Sequence, residues 1–205
     1  MSEGKVKVGI LISGRGSNME SIVRKAKADE IPAEVVVVIS NKPEAPGIRK
    51  AEAFGIPVVV IDHKKFSSRE DFERALVSEL KSRGVELVCL AGFMRILSPT
   101  FIREFPGRIM NIHPSLLPAF PGLNVHNRVL ESGAKFSGCT VHFVTEDVDA
   151  GPIIIQAVVP VLDDDTEETL AARVLVEEHK IYPEAIRLFA EGRLEVRGKR
   201  VIWKK

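Results

Sequence analysis

The sequence predicts an α/β fold, with a doubly wound, mostly parallel sheet and antiparallel strands in the C-terminal half. In the first half, short apolar and β-branched runs alternate with segments of helical periodicity, as in successive βαβ units. In the second half, the apolar runs 139–144 and 152–159 are joined by too few residues for a helical crossover. These two runs are therefore expected to pair as antiparallel strands.

The elements of the first half follow from periodicity and helix-end signals. Residues 6–12 form a nearly continuous apolar run, and after a glycine turn the apolar residues 19, 22, 23 and 26 recur at helical spacing. The run 33–40 is β-branched and predicts a strand covered on both faces. Further strands are predicted at 58–61 and 87–91. Helices are predicted at 47–54, from about 67 to 83, and at 99–105, each followed by a glycine.

In the second half, a strand at about 108–113 enters a proline-containing segment, and a helix at 125–132 ends at Gly133. After the antiparallel pair, residues 165–168 have the pattern of a capping box and begin a long helix that extends to about residue 189. Pro183 is expected to kink or divide that helix. Residues 194–196 and 201–203 predict a terminal hairpin. The whole pattern is that of a Rossmann-like sheet in a single domain.

Composition limits the classes of function. Apolar residues make up 45% and charged residues 28%, which is ordinary for a globular protein. The 29 basic residues are scattered and balanced by 28 acidic ones, which argues against nucleic acid as a partner. No apolar run has membrane-spanning length, and no signal peptide is evident. The two cysteines lie in apolar runs and are expected to be buried reduced thiols, so a cytoplasmic location is predicted.

Asn111 and His113 are the principal candidates for catalysis. In a strand, these two side chains point to the same side. An amide can stabilise an oxyanion, and an imidazole can transfer a proton near neutral pH, so the pair predicts an acyl-transfer site. The alternative is a polar strand end without a function, because short motifs match often by chance.

The turn 13–18, SGRGSN, is the candidate anion site. Its glycines allow backbone N–H groups to approach a phosphate at the N-terminus of the following helix. NAD is disfavoured because Met19 occupies the third glycine position and no acidic residue follows the second strand. A Walker loop is excluded by the absence of a Gly-Lys-Ser/Thr sequence. The alternative is a turn that merely requires glycine.

Asp149 lies in the connection between the antiparallel strands, where an aspartate is often only a turn residue. If that connection folds over the site, the carboxylate would stabilise the imidazolium form of His113. The other histidines are assigned to the surface (His63), to packing (His126 and His142) and to the long helix (His179). None of them forms a pair with metal-ligand spacing, so no metal site is predicted.

Four spaced motifs carry a family resemblance: SGRGSN at 13–18, AGFMRILS at 91–98, NIHPSLLP at 111–118 followed by Pro121 and Gly122, and VHFV at 141–144 leading to DAGP at 149–152. In this order the chain resembles the phosphoribosylglycinamide formyltransferase family, folate-dependent enzymes of purine synthesis, along essentially its whole length. The resemblance implies 10-formyltetrahydrofolate as co-substrate, small-molecule partners, no metal, and a monomer or homodimer.

The resemblance also implies roles for individual residues. His113 would transfer the proton, Asn111 would bind the formyl oxygen of the folate, and Asp149 would assist the histidine. The remaining residues implied are those that bind the ribonucleotide, Gly16, Ser17, Asn18 and Glu178, and those that contact the folate, Arg69, Met94, Arg95, Ile96 and Leu97. Residues 1–105 would form the phosphate-binding half, and residues 106–205 the catalytic and folate-binding half. The role of Arg15 stays open.

Three alternatives compete with this interpretation. A formyltransferase that acts on charged initiator tRNA is disfavoured by the near-neutral net charge and the lack of a further domain. A formyltetrahydrofolate hydrolase is disfavoured because the first strand begins by Val6, which leaves no room for an N-terminal regulatory domain. The third alternative is a non-catalytic nucleotide-binding module, which is weakened by the presence of the amide, the imidazole and the carboxylate.

Overall fold

The computed structural model describes residues 4–205, which divide between Met110 and Asn111 into two compact units. Strand β5 (Ile109–His113) carries the chain from the first unit into the second. The other elements of the first unit are β1 (Val6–Ile12), α1 (Ser17–Lys27), β2 (Ala33–Ser40), α2 (Gly47–Ala53), β3 (Val58–Val60), a 3-10 turn (His63–Lys65), α3 (Arg69–Ser82), β4 (Leu87–Leu90) and α4 (Pro99–Glu104). The other elements of the second unit are α5 (Val125–Ser132), β6 (Phe136–Phe143), β7 (Ile153–Pro160), α6 (Glu167–Ala190), β8 (Leu194–Arg197) and β9 (Arg200–Trp203).

The sheet of the first unit is parallel. Strand β1 pairs with β2 on one side and with β4 on the other, and β3 pairs with β2. Successive residues Ile10, Leu11 and Ile12 are all fully buried, so both faces of β1 are covered. This explains why the strand reads as a continuous apolar run rather than as an alternating one.

The second unit contains the antiparallel strands. Strands β6 and β7 pair antiparallel over most of their length, and β8 and β9 form the predicted hairpin. Strand β9 joins β7 in the parallel sense at Ile153 and Arg200. The predicted mixed sheet, mostly parallel with antiparallel strands in the C-terminal half, is therefore confirmed. Strand β6 begins at Phe136, three residues before its predicted start.

The start of α6 differs from the prediction by one residue. The hydroxyl of Thr166 accepts a hydrogen bond from the N–H of Thr169, and the Thr169 hydroxyl accepts one from the N–H of Thr166. The capping box is thus formed by this pair and not by Asp165 and Glu168. The Asp165 carboxylate instead accepts two hydrogen bonds from the Arg173 guanidinium, at 2.6 and 2.8 Å.

Helix α6 continues through Pro183, so of the two predicted effects, a kink or a division, the division does not occur. A proline in a helix interior costs about 3 kcal/mol. Around it, Tyr182 and Ile186 are fully buried and Ile181 is only 7% exposed. Burying each such side chain contributes about 1.5–3 kcal/mol, so packing of this face outweighs the lost hydrogen bond.

Two further predictions can be compared with the structure. Cys89 and Cys139 are both buried and neither forms a disulfide, as predicted. Within residues 4–205, none of the helices combines the length and the apolar character that crossing a membrane requires.

Candidate active site

Asn111 and His113 are presented by β5, with buried Ile112 between them. Because strand side chains alternate, the amide and the imidazole lie on the same side of β5. His113 is 5% exposed and Asn111 is half-buried. The prediction that one strand offers both groups to the same space is confirmed.

His113 has an oxygen acceptor near each ring nitrogen. Its Nε2 lies 2.9 Å from the carbonyl oxygen of Phe120, and its Nδ1 lies 3.5 Å from Oδ2 of Asp149. The same Asp149 oxygen accepts a hydrogen bond from the N–H of Gly122 at 2.9 Å. An imidazole ring protonated on both nitrogens can therefore donate in both directions. The structure brings together the three residues Asn111, His113 and Asp149.

His142 belongs to the same cluster, although the sequence interpretation assigned it to packing. Its Nε2 lies 3.3 Å from Nδ2 of Asn111 and 4.0 Å from Oδ1 of Asp149, and its Nδ1 lies 3.0 Å from the carbonyl oxygen of Phe143. A carbonyl can only accept, so the hydrogen-bond network assigns the ring proton to Nδ1 and makes Nε2 an acceptor for the Asn111 amide. The only sequence signal was a polar ring within the otherwise apolar end of β6.

Burial favours the neutral form of His142. The ring is 2% exposed, and desolvation lowers its pKa below the ordinary value of 6.5. The Phe143 carbonyl and the Asp149 carboxylate act in the opposite direction, and His113 adds to the lowering. The lowered pKa agrees with the hydrogen-bond assignment, in which His142 accepts from Asn111.

Residues 120–124 supply one contact to His113 and one to Asp149, and their backbone is unusual. Phe120 and Asn124 have φ values of 52° and 53°, and Asp149 also has a φ of 52°. Such conformations cost on the order of 1–3 kcal/mol each for a residue other than glycine, somewhat less for Asn and Asp. They persist only where neighbouring contacts fix them. The backbone around His113 is therefore held by tertiary contacts and not by local preference.

In the first unit, the glycine turn joins β1 to α1. Gly16 has a φ of 68° and is the N-cap of α1, so Ser17 and Asn18 begin the first helical turn. A Cβ on Gly16 would lie 3.0 Å from both the Gly47 Cα and the Met19 side chain. The glycine turn therefore packs closely against Gly47 of α2. This contact could not be recognised from the sequence because Gly47 lies far along the chain.

Ser13 connects the glycine turn to the segment after β4. Its hydroxyl donates to Oδ1 of Asn41 at 2.5 Å and accepts from the N–H of Met94 at 2.8 Å. Of the predicted folate-contacting residues, Met94, Arg95 and Ile96 are exposed and Leu97 is buried. The backbone carbonyl oxygen of Asn41 lies 3.1 Å from Nδ1 of His63, a residue predicted at the surface that is half-buried. A polar residue at the carboxyl end of β1 was the available signal for Ser13.

Arg69 holds the backbone of the same segment. Its guanidinium donates to the carbonyl oxygen of Ile96, and its Nε lies 3.2 Å from Oε1 of Glu73. Glu73 is 5% exposed and accepts hydrogen bonds from both the N–H and the hydroxyl of Ser98. Arg69 is therefore more than a surface residue, because it ties α3 to the exposed residues 94–96.

Glu178 lies on α6 and is 7% exposed, so it is not a solvated helix charge. Burial, together with the negative charges of Glu178 and Glu177, raises the pKa of the Cys139 thiol to about 12. This places Glu178 near β6 within the second unit. Among residues 4–205, no group of three or more His, Cys, Asp or Glu side chains has an arrangement that could hold a metal ion.

Comparison with known proteins gives consistent matches. A family model described as formyl transferase matches residues 6–186. The phosphoribosylglycinamide formyltransferase of Escherichia coli K12 is 46% identical over 187 residues, which are 91% of this chain and 88% of that protein. A trifunctional purine biosynthetic protein adenosine-3 from Gallus gallus is 52% identical over 201 residues, and this chain spans only 20% of its length.

A solved structure agrees with these matches. Glycinamide ribonucleotide transformylase 1 from Symbiobacterium toebii superposes with a TM-score of 0.97 at 50% sequence identity, covering 100% of this chain and 96% of that one. On the matched residues 6–186 and on the near full-length likeness to the Escherichia coli protein, this chain belongs to the formyl transferase family, among the phosphoribosylglycinamide formyltransferases.

Proposed function

We propose that this chain transfers a formyl group from 10-formyltetrahydrofolate to the amine of N1-(5-phospho-D-ribosyl)glycinamide, a step of purine biosynthesis. The observation that carries the proposal is the cluster of Asn111, His113 and Asp149 in a member of this family. Donor and acceptor are small molecules. We expect residues 1–205 to act as one formyltransferase domain, in the cytoplasm, as a monomer or homodimer.

The reaction joins one nitrogen to the formyl carbon and releases another. The acceptor amine attacks the formyl carbon, and negative charge develops on the formyl oxygen. One N–H of the Asn111 amide is directed at His142, and the second N–H donates to this oxygen in our proposal. The bond from the formyl carbon to the folate nitrogen then breaks. No covalent bond to the protein forms.

His113 moves the proton that this exchange requires. The attacking nitrogen must lose a proton and the departing folate nitrogen must gain one. The imidazole accepts the first and delivers the second, directly or through water. The Asp149 carboxylate, 3.5 Å from Nδ1, stabilises the ring while it carries the extra proton. His142 acts indirectly. Its neutral Nε2 accepts a hydrogen bond from the Asn111 amide and so fixes the orientation of that amide.

The remaining predicted residues bind the two substrates. Gly16 is the N-cap of α1, and Ser17 and Asn18 begin its first turn, where backbone N–H groups and the helix dipole favour a phosphate. Glu178 contacts the same ribonucleotide. Arg69 and residues 94–97 contact the folate, mainly through exposed backbone and the apolar surfaces of Met94 and Ile96.

A comparison of acceptors tests this function. The protein is supplied with 10-formyltetrahydrofolate and, in separate reactions, with the glycinamide ribonucleotide, charged initiator tRNA, or water alone. We expect rapid formation of the formylated ribonucleotide only, and its loss in His113→Gln. Faster formyl transfer to tRNA, or hydrolysis that is independent of acceptor, would replace the proposal with one of the competing activities. Ligand binding without turnover would indicate a non-catalytic module.

A further inference from the structure

We propose that Arg128 is a positioning residue for the proton-transfer site, which it supports through the backbone of segment 120–123. The proposal rests on the proposed function of His113 and Asp149. Arg128 lies on α5, and its hydrogen bonds are to Pro121 and Leu123 rather than to His113 or Asp149. It acts on the segment that contacts both.

The contacts of Arg128 converge on this one segment. Its guanidinium donates to the carbonyl oxygen of Pro121 at 2.5 Å and to that of Leu123 at 3.3 Å. The same group lies over the ring of Phe120, 5.8 Å from the ring centroid. One planar side chain therefore binds three of the four residues of the segment, by hydrogen bonds and a cation–π contact.

The segment delivers one hydrogen-bonding group to each partner of the proposed pair. The carbonyl oxygen of Phe120 lies 2.9 Å from Nε2 of His113, and the N–H of Gly122 donates to Asp149 at 2.9 Å. These two groups flank Pro121, whose carbonyl oxygen is held most closely by Arg128. A shift of the segment would therefore disturb both members of the pair together.

Core packing contributes little to the shape of the segment. Residues 121–123 are exposed, and the Leu123 side chain is 74% exposed, so core packing does not fix them. Phe120 and Gly122 both have left-handed backbone, with φ of 52° and 82°. A left-handed conformation at a phenylalanine persists only where contacts determine it. The guanidinium of Arg128 provides such contacts.

Lysine cannot reproduce this arrangement. The guanidinium is planar and carries several donors in a fixed fork, so it can stack on a ring while it binds two carbonyl oxygens. An ammonium group keeps the charge but presents no plane to the ring. Arg128→Lys therefore separates positioning from simple charge, and Arg128→Ala removes both.

The main experiment measures formyl transfer to the glycinamide ribonucleotide by steady-state kinetics. Misplacement of a catalytic group by about 1 Å can reduce turnover up to about 100-fold, so we expect kcat of Arg128→Ala to fall about 10-fold, with both KM values within about twofold. Arg128→Lys should recover part of that loss. In an Asp149→Asn background, Arg128→Ala should lower kcat by less than about twofold, because the two changes disturb the same contact.

Arg24→Ala is the matched control. Arg24 of α1 likewise lies over a phenylalanine, with its guanidinium 5.0 Å from the ring centroid of Phe54 at the end of α2, and it pairs with the carboxylate of Glu20. We expect it to leave kcat unchanged. A second readout does not depend on turnover: the ring ¹H and ¹⁵N resonances of His113, assigned with His113→Gln, should move in Arg128→Ala and Arg128→Lys but not in Arg24→Ala.

The outcomes separate the two proposals. Unchanged kcat and unchanged His113 resonances in folded Arg128→Ala or Arg128→Lys would overturn the positioning role, as would full additivity with Asp149→Asn. Ring resonances that move in a protein without formyl transfer would support the positioning role and refute the proposed function. Should Arg128→Ala not fold, the lysine variant decides the question by the same measurements.

Discussion

The side-chain nitrogen of Asn111 lies 3.3 Å from Nε2 of His142, and the other ring nitrogen of His142 lies 3.0 Å from the carbonyl oxygen of Phe143. This chain of contacts fixes which atom of the Asn111 amide is the nitrogen, because the Nε2 it meets is an acceptor. An amide rotated by half a turn would present its oxygen to a ring nitrogen that carries no proton. His142 thus determines the direction in which Asn111 can donate.

The first prediction concerns His142→Phe. Phenylalanine keeps the ring volume but removes the acceptor, so the Asn111 amide loses its orientation. Removing one oxyanion donor typically costs about 100-fold or more in kcat, and we expect a loss approaching about 100-fold with little change in KM. His142→Gln should lose less, because its Oε1 can accept from Asn111. Steady-state kinetics of both variants would check this, and equal kcat for Phe and wild type would contradict it.

The second prediction concerns the pH dependence of stability. Burial lowers the pKa of His142 below 6.5, so between that lowered pKa and 6.5 the unfolded chain binds a proton that the folded chain excludes. Stability therefore falls as the pH drops below 6.5, by at most about 1.4 kcal/mol per pH unit from this group, and levels off below the folded pKa.

The free energy of unfolding in urea is measured at about pH 7.5 and about pH 5.5 for the wild type and for His142→Gln. The difference in unfolding free energy between the two pH values should be smaller in the variant, because glutamine does not titrate. A difference as large in His142→Gln as in the wild type would assign the acid sensitivity to other groups.

The third prediction concerns the two residues of the proton-transfer pair. Asp149→Asn keeps an oxygen that can accept from the Gly122 N–H but removes the negative charge near His113. Loss of general acid–base assistance reduces turnover by about 100-fold to 10,000-fold, so His113→Ala and Asp149→Asn should lower kcat much more than substrate affinity. Single-turnover kinetics would separate a loss of turnover from a loss of substrate affinity. Unchanged turnover in both variants would refute the proposed roles of His113 and Asp149.

The sequence predicted the fold and the central pair because both depend on local patterns. The β-branched runs and the alternation along β5 can both be recognised within a few residues of sequence. The roles of His142 and Gly47 and the contact of Ser13 were missed because each depends on a partner distant in the chain: Asn111, Gly16 and Met94, respectively. Pro183 does not divide α6 for a related reason, since burial of the helix face around it outweighs the local preference of proline.

The fourth prediction concerns Arg69. Its guanidinium donates to the Ile96 carbonyl oxygen, so Arg69→Ala should release the exposed residues 94–96 from α3. We expect the KM for 10-formyltetrahydrofolate to rise about 10-fold while the KM for the ribonucleotide changes little. A rise of about 10-fold corresponds to the loss of about one charge-assisted hydrogen bond. Arg74→Ala is the control, because Arg74 lies on the same helix, is largely exposed and pairs with Asp71. An equal rise in both variants would contradict the role of Arg69.

The fifth prediction compares two glycines of one turn. Gly16→Ala forces a side chain onto left-handed backbone, with its Cβ 3.0 Å from Gly47, whereas a Cβ on Gly14 meets no atom within 4 Å. Gly16→Ala should therefore destabilise the protein by about 1–3 kcal/mol and raise the KM for the ribonucleotide, because the first turn of α1 can no longer approach the phosphate. Gly14→Ala serves as the control for stability and should change the urea midpoint little. If the KM for the folate rises instead, the turn does not bind the phosphate.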